Sequence, residues 1–346
     1  MPPVEFSGRG FDSRHLHLNH FSPVDAPSRS GGASPYLASM PLSVLPPKGV
    51  EGCHTDRLGP IPMSALAVNS ELPDLRIVPI EGLVFHERHD SRRIPPLLER
   101  LRQDGVLKNP PIVAPIPGSH RFVVLDGANR TVALAQMGCP HILVQVVDYQ
   151  HPRLRLNVWY HLVTGISGEE FDRRVRSIPG LEVLSTRDLL TARAALARRY
   201  ILAYAVRPDG MILMFRGGGD DIVRQSELLN ALVDVYEGRA DIYRIGTDRM
   251  EEVAPLYGEV AALVVFPHYH PSEILDLTRR EARLPTGITR HVIPGRALRL
   301  HFPLDLLADT EQSLEEKNRW LQGWLKQKFV TGQVRFYEES TFLFDE

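Results

Sequence analysis

The stretch Val123 to Leu134 reads Val-Val-Leu-Asp-Gly-Ala-Asn-Arg-Thr-Val-Ala-Leu, and it constrains the fold more than any other because it turns a buried strand directly into a helix. Val123, Val124 and Leu125 form an apolar run of the kind a strand buries. Gly127 permits a tight turn, and the apolar spacing from Thr131 to Met137 is helical. A helix is therefore predicted from near Asn129. Its first turn carries unpaired N–H groups and a partial positive charge that suit an anion, Arg130 adds a planar fork of donors, and Asp126 can hold a cation beside it. An ordinary strand-to-helix turn stabilised by an Asp–Arg pair is the plainer alternative.

The flanking pattern predicts an α/β fold. A strand over 75–79, a loop bearing His86 and Glu87, a helix over 92–104, strands over 111–115 and 122–125, a helix over 129–137 and a strand over 142–148 make a compact mixed module. Beyond it come an apolar segment over 156–163, helices over 167–176, 187–199 and 226–236, and a hairpin of 200–207 with 211–216 around Pro208-Asp-Gly. A strand over 261–266, a helix over 271–280 and an amphipathic helix over 311–328 complete the series. The last helix carries Leu314, Trp320, Leu321, Trp324 and Leu325 on one face, which suits core packing or a homodimer contact. Ten of the 28 prolines lie in the first 62 positions, with Gly31-Gly32, His15, His17 and His20 and no sustained period, so burial there cannot offset ordering entropy. The expected organisation is a disordered tail over 1–70, a first domain over 71–150 and a second over 151–346.

With 346 residues and 43% hydrophobic composition the chain can bury a sizeable core. A net charge of −2 supplies no global field for nucleic acid, which makes DNA binding an unfavoured expectation. Cys53 and Cys139 share no metal-ligand spacing, and no apolar run approaches the roughly 20 residues that span a bilayer, so a cytoplasmic protein without membrane contact is expected. Gly217-Gly-Gly-Asp-Asp221 lacks the Lys-Ser/Thr of a phosphate loop and reads as a turn. His268-Tyr-His270 lies between prolines with no third ligand nearby and reads as a loop.

Three segments in order carry a resemblance. Leu83-Val-Phe-His-Glu-Arg-His-Asp90 precedes the first helix, Asp126-Gly-Ala-Asn-Arg130 follows the strand, and Leu284-Pro-Thr-Gly-Ile-Thr-Arg-His-Val-Ile-Pro-Gly-Arg296 lies far downstream. Together they resemble the ParB/sulfiredoxin superfamily and, within it, the free serine kinases, over roughly Leu75 to Pro303. The resemblance implies a nucleotide-binding module with an α/β substrate domain closing over it. It also implies phosphoryl transfer from ATP or ADP, with Mg²⁺, to the hydroxyl of free L-serine. Carried onto this chain, Glu87 becomes the general base and Asp126 a catalytic and metal-holding carboxylate. Gly127, Ala128, Asn129, Arg130 and Thr131 become phosphate contacts, and Trp159, Thr289, Arg290, His291 and Arg296 substrate contacts. Where the kinases commonly carry Asp-Gly-His-His-Arg this chain has Ala128 and Asn129, and an amide donates a hydrogen bond but carries no proton charge. A sulfiredoxin would need a cysteine at this motif, and none lies over 126–130. The competing class is a non-catalytic regulator that senses nucleotide or amino acid and binds DNA or a partner protein.

Overall fold

The computed structural model describes residues 72–337; the predicted tail lies outside them. Strands run β1 Asp74–Pro79, β2 Leu83–Phe85, β3 Val106–Leu107, β4 Ile112–Pro115, β5 Phe122–Asp126, β6 His141–Val146, β7 Arg155–Val158 and β8 Tyr160–Thr164. They continue with β9 Glu182–Thr186, β10 Ala203–Val206, β11 Ile212–Arg216, β12 Asp241–Ile245, β13 Val260–Val265, β14 Thr289–Val292 and β15 Phe302–Pro303. Helices are α1 Ile94–Asp104, α2 Ala128–Gln136, α3 Gly168–Arg176, α4 Leu189–Ala197, α5 Ile222–Asp234, α6 Met250–Tyr257, α7 Pro271–Arg279, α8 Leu304–Ala308 and α9 Leu314–Val330.

Two sheets organise the chain. The first has the order β1-β6-β4-β5-β2 with mixed directions, and the second, β12-β8-β13-β10-β11-β9, is antiparallel throughout. β5 is buried on both faces, as its unbroken apolar run requires. Val124 joins the core beneath α1, α2 and α9, while Val123 and Leu125 point to the opposite core, which extends to the second sheet. That shared core holds Val163 of β8, Phe171 of α3, Leu229 and Leu232 of α5, and Ile274 and Leu277 of α7. The far face of the second sheet packs against Ala192 and Leu196 of α4 and Met250 and Val253 of α6.

The C-terminal segment does not stay with the second sheet. Phe302, Leu304, Leu307 and Leu321 are buried in the core of the first, where Asn318 bonds both the N–H and the carbonyl of Ile77 on β1. α9 opens on a capping box in which Ser313 accepts from the Glu316 N–H and the Glu316 carboxylate accepts from the Ser313 N–H. Fully buried Lys317 donates to the carbonyls of Asp309 and Leu307 and lies 3.1 Å from His141 Nδ1; burial lowers its pKa. The face of α9 predicted from Leu314, Leu321, Trp324 and Leu325 is thus used inside the molecule. Residues 302–330 depart in this way from the sequence expectation, which grouped them with the second domain. Among the described residues no helix is long and apolar enough to cross a membrane.

Candidate active site

The strand-to-helix junction is built as its sequence requires. Gly127 has φ +92°, and a Cβ there would lie 3.0 Å from both Arg130 Nη2 and Pro111 Cα, so only glycine fits. It caps α2 without a side-chain bond, leaving the N–H groups of Ala128, Asn129 and Arg130 without intrahelical acceptors. Thr131 departs from expectation. It is 2% exposed, and both its N–H and its hydroxyl donate to the Gly127 carbonyl, so it locks the turn and offers nothing to a phosphate.

Arg130 spends Nη1 on the Asn109 carbonyl at 2.5 Å and keeps Nη2 3.7 Å from Asp126 Oδ1. Asp126 Oδ2 accepts from Arg296 Nη1 at 2.5 Å. Burial pushes the Asp126 carboxyl up, but Arg130, Arg296 and the Gly127 backbone outweigh it and hold the group below its ordinary pKa. One carboxylate thus faces two guanidiniums at an uncapped helix start, leaving an excess of positive charge. Arg296 is delivered there by Gln145 of β6, 3% exposed, which donates to the Gly295 carbonyl and accepts from the Ala297 N–H, clamping the peptides on both sides.

His86 and Glu87 join the first sheet to the downstream segment. Glu87 Oε2 accepts from the Gly287 N–H at 2.8 Å and Oε1 from the Thr289 N–H at 2.6 Å, while backbone bonds link Leu284 to His86 and Arg88. His86 Nδ1 lies 2.7 Å from the Val124 carbonyl and must donate to it. In the neutral ring Nε2 then accepts the Thr289 hydroxyl, at 2.9 Å. The His86 and His291 rings meet edge-on at 5.3 Å, and His291 Nε2 bonds the Tyr149 hydroxyl at 2.8 Å. His291 is 6% exposed, and burial with His86 beside it holds its pKa well below the ordinary value, so the ring is neutral. Burial pushes the Tyr149 phenol up, and Glu87 adds to the shift. Arg296 Nη2 donates to the His291 carbonyl at 3.2 Å, which closes the circuit from Glu87 through Thr289 and His291 to Asp126 and Arg130.

The sequence-predicted residues do not all share this place. β14 pairs antiparallel with β7 as a two-stranded ribbon, and successive side chains of a ribbon point to opposite faces. Thr289 and His291 turn to His86 and Tyr149, whereas Arg290 turns the other way and sits 4.3 Å over the Trp159 ring. Trp159 and Arg290 are therefore separated from Thr289 and His291, contrary to their grouping by sequence. His291 is likewise a buried support behind the cleft rather than an open contact.

Beside Arg130 and Arg296 a cleft of about 250 Å³ opens between α1 and the 106–110 loop. Its walls include Leu97, Leu101, Ile112 and Leu298, with Asp104 and Asn109 as polar groups. Sequence reasoning missed Gln145, Tyr149 and Arg244. Arg244 on β12 lies against Gly287, where a Cβ would come within 1.9 Å of its Nη2. Burial lowers its pKa, against the attraction of Glu87 and, more weakly, of Asp90 and Asp126. The polar Gln145 inside the apolar run of β6 was a visible signal, but an arginine in a short strand between charged residues was not.

No protein-family model matches the sequence. The chain is 23% identical over 248 residues to an ATP-dependent L-serine kinase of Staphylothermus marinus, spanning 71% of this chain and 96% of that one. It is 22% identical over 236 residues to the ADP-dependent L-serine kinase SerK of Thermococcus kodakarensis, spanning 68% and 93%. A solved free serine kinase in complex with AMP matches with a TM-score of 0.58 over 69% of this chain and 95% of that chain, at 21% identity, so the fold is shared.

Proposed function

We propose that this chain, related to the free L-serine kinases in sequence and in fold, transfers the terminal phosphoryl group of ATP or ADP to the hydroxyl of free L-serine, yielding O-phospho-L-serine. The observation that carries the reading is the bonded circuit that brings Glu87, through Thr289 and His291, to the Asp126–Arg130–Arg296 cluster at the start of α2. Glu87 takes the serine hydroxyl proton as the oxygen attacks phosphorus, and the bond to the departing nucleotide phosphate breaks. Each Glu87 oxygen already accepts one backbone N–H, which orients the carboxylate and leaves lone pairs for the hydroxyl. The phosphates rest on the free N–H groups of Ala128, Asn129 and Arg130 with Arg296 beside them, and the nucleoside occupies the cleft against Leu97, Leu101 and Leu298.

Among the described residues no cluster of three His, Cys, Asp or Glu side chains forms a metal cage. A lone ionised Asp126 beside the phosphate site suits Mg²⁺, which takes one or two carboxylates with phosphate oxygens and water, and would neutralise charge on the phosphates when bound. Thr289 shapes the acceptor side. With the His86 ring neutral and its Nδ1 donating to the Val124 carbonyl, the Thr289 hydroxyl donates to Nε2 and meets the amino acid as an acceptor, for the ammonium group. The test is phosphoserine formation from L-serine and Mg²⁺ with ATP and, separately, ADP, read by mass spectrometry. Production with either donor is expected; production with neither overturns the reading.

A further inference from the structure

An amino-acid kinase must hold the substrate's carboxylate as well as deprotonate its hydroxyl, and the arginines expected at the phosphates and the substrate are otherwise engaged. Arg296 is spent on Asp126 and on the His291 carbonyl, Arg130 on the Asn109 carbonyl, and Arg290 stacks on Trp159 on the other face of the ribbon. Arg244 is differently placed. In the antiparallel pairing of β12 with β8 it stands opposite His161, and directly paired residues share a face. That face is the one turned to the first sheet, because His161 packs edge-on against Phe266 and Tyr236 of the shared core, and Ile242, two residues before Arg244, packs there as well. The arginine is thus the polar end of an apolar stripe, at the exposed edge of that core.

The guanidinium lies along the backbone at Gly287. A Cβ on that residue would meet Nη2, Cζ and Nε at 1.9, 2.2 and 2.4 Å, so a side chain there would displace it. Gly287 is also the residue whose N–H bonds Glu87 Oε2. Arg244 therefore sits against the segment that holds the base, while its donors make no hydrogen bond or ion pair among the described residues. Glu87 is its strongest attractive neighbour, with Asp90 and Asp126 weaker and Arg93 opposing. An unpaired fork of donors beside a carboxylate that already accepts two N–H groups calls for an external anion.

Resting on the kinase reading above, we propose that Arg244 is the specificity-determining contact for the carboxylate of the acceptor amino acid. Its planar fork binds both carboxylate oxygens and orients the hydroxyl toward Glu87. The phosphate cluster lies on the first-sheet wall, and Arg244 comes from the second sheet, so donor and acceptor are gripped from opposite walls.

The experiment compares L-serine with ethanolamine, which keeps the hydroxyl and ammonium but lacks the carboxylate, in the wild type, Arg244→Ala and Arg244→Lys. Loss of one such charge-assisted pair is expected to raise the KM for L-serine by roughly 30- to 1,000-fold in R244A. The preference for serine over ethanolamine, as a ratio of kcat/KM, falls by a similar factor. R244K recovers part of the preference, since an ammonium supplies charge without the fork. The nucleotide KM stays within about threefold, because the pair lost belongs to the acceptor side. Equal losses with serine and ethanolamine, or a loss carried by the nucleotide KM, overturn the assignment and point to the moving phosphoryl group. If the wild type makes no phosphoserine, it is the kinase reading that falls. Calorimetric binding of L-serine to the wild type and R244A then decides on Arg244 alone, equal affinities overturning it.

Discussion

Two arginine–carboxylate clusters in this molecule use the same groups to opposite ends. On the far side of the second sheet, Asp248 receives Arg193 through two bonds of 2.7 and 2.6 Å and the Tyr204 hydroxyl at 2.5 Å, and its side chain is 15% exposed. There one carboxylate takes both edges of a guanidinium fork and a phenol within the protein. At the start of α2, Asp126 is 38% exposed and faces two guanidiniums beside helix N–H groups without intrahelical acceptors, and Arg244 makes no hydrogen bond among the described residues. A saturated cluster is finished when the chain has folded; an unsaturated one retains its donors for a ligand. Density of charge alone does not mark a site. Donors left without acceptors do, as at the start of α2.

The sharpest way to break this contrast is Glu87→Gln. A base acts in the transition state, so the variant should lose about 100- to 10,000-fold in phosphoserine formation while nucleotide affinity stays within about threefold, measured by initial rates and by calorimetry. Asp248→Asn should do the reverse, lowering unfolding free energy by about 1–3 kcal/mol in urea titration with turnover per folded molecule unchanged. The Arg193 hydrogen bond above all holds Asp248 below its ordinary pKa, against the opposing effect of burial. Its contribution is therefore present above the unfolded carboxylate pKa of about 3.9 and is lost as pH falls through the folded value. The stability gap between wild type and D248N should accordingly close on acidification below about pH 4.

Asp126→Asn should weaken Mg²⁺-nucleotide binding about tenfold, yet weaken metal-free nucleotide less, because removing the carboxylate also strengthens the positive field. Equal losses with and without Mg²⁺ would show that Asp126 only positions the arginines. The smallest effect is expected from Asn129→His, which places an imidazole in the first turn of α2 and should change turnover by no more than about tenfold with little change in stability.

The parts legible in the sequence were local. Asp126-Gly-Ala-Asn-Arg130 announced its strand-to-helix turn because Gly127 and the apolar runs on either side act within a few residues. His86-Glu87 and Thr289-Arg-His291 were recognisable as short motifs, although their meeting across the chain comes from tertiary pairing. Alternation in β14 then parted Arg290 from its neighbours, an effect hidden until the ribbon partner is known. β12 and α6 had no clear period: Asp241-Ile-Tyr-Arg-Ile245 is short, and Pro255 interrupts Met250–Tyr257. Arg244 stayed hidden with β12. Nor does α9 carry in its own periodicity any sign that its apolar face belongs to β1 rather than to the second sheet.

A single-turnover experiment tests the central claim most directly. The protein is loaded with one equivalent of Mg²⁺-nucleotide, mixed with excess L-serine and quenched at intervals, and phosphoserine and spent nucleotide are counted together. Phosphoryl transfer across this cleft predicts one phosphoserine for each nucleotide consumed, in the wild type only when serine is present and at least about 100-fold slower in E87Q. Nucleotide consumed at the same rate with and without serine, or left intact with both ATP and ADP, would contradict it.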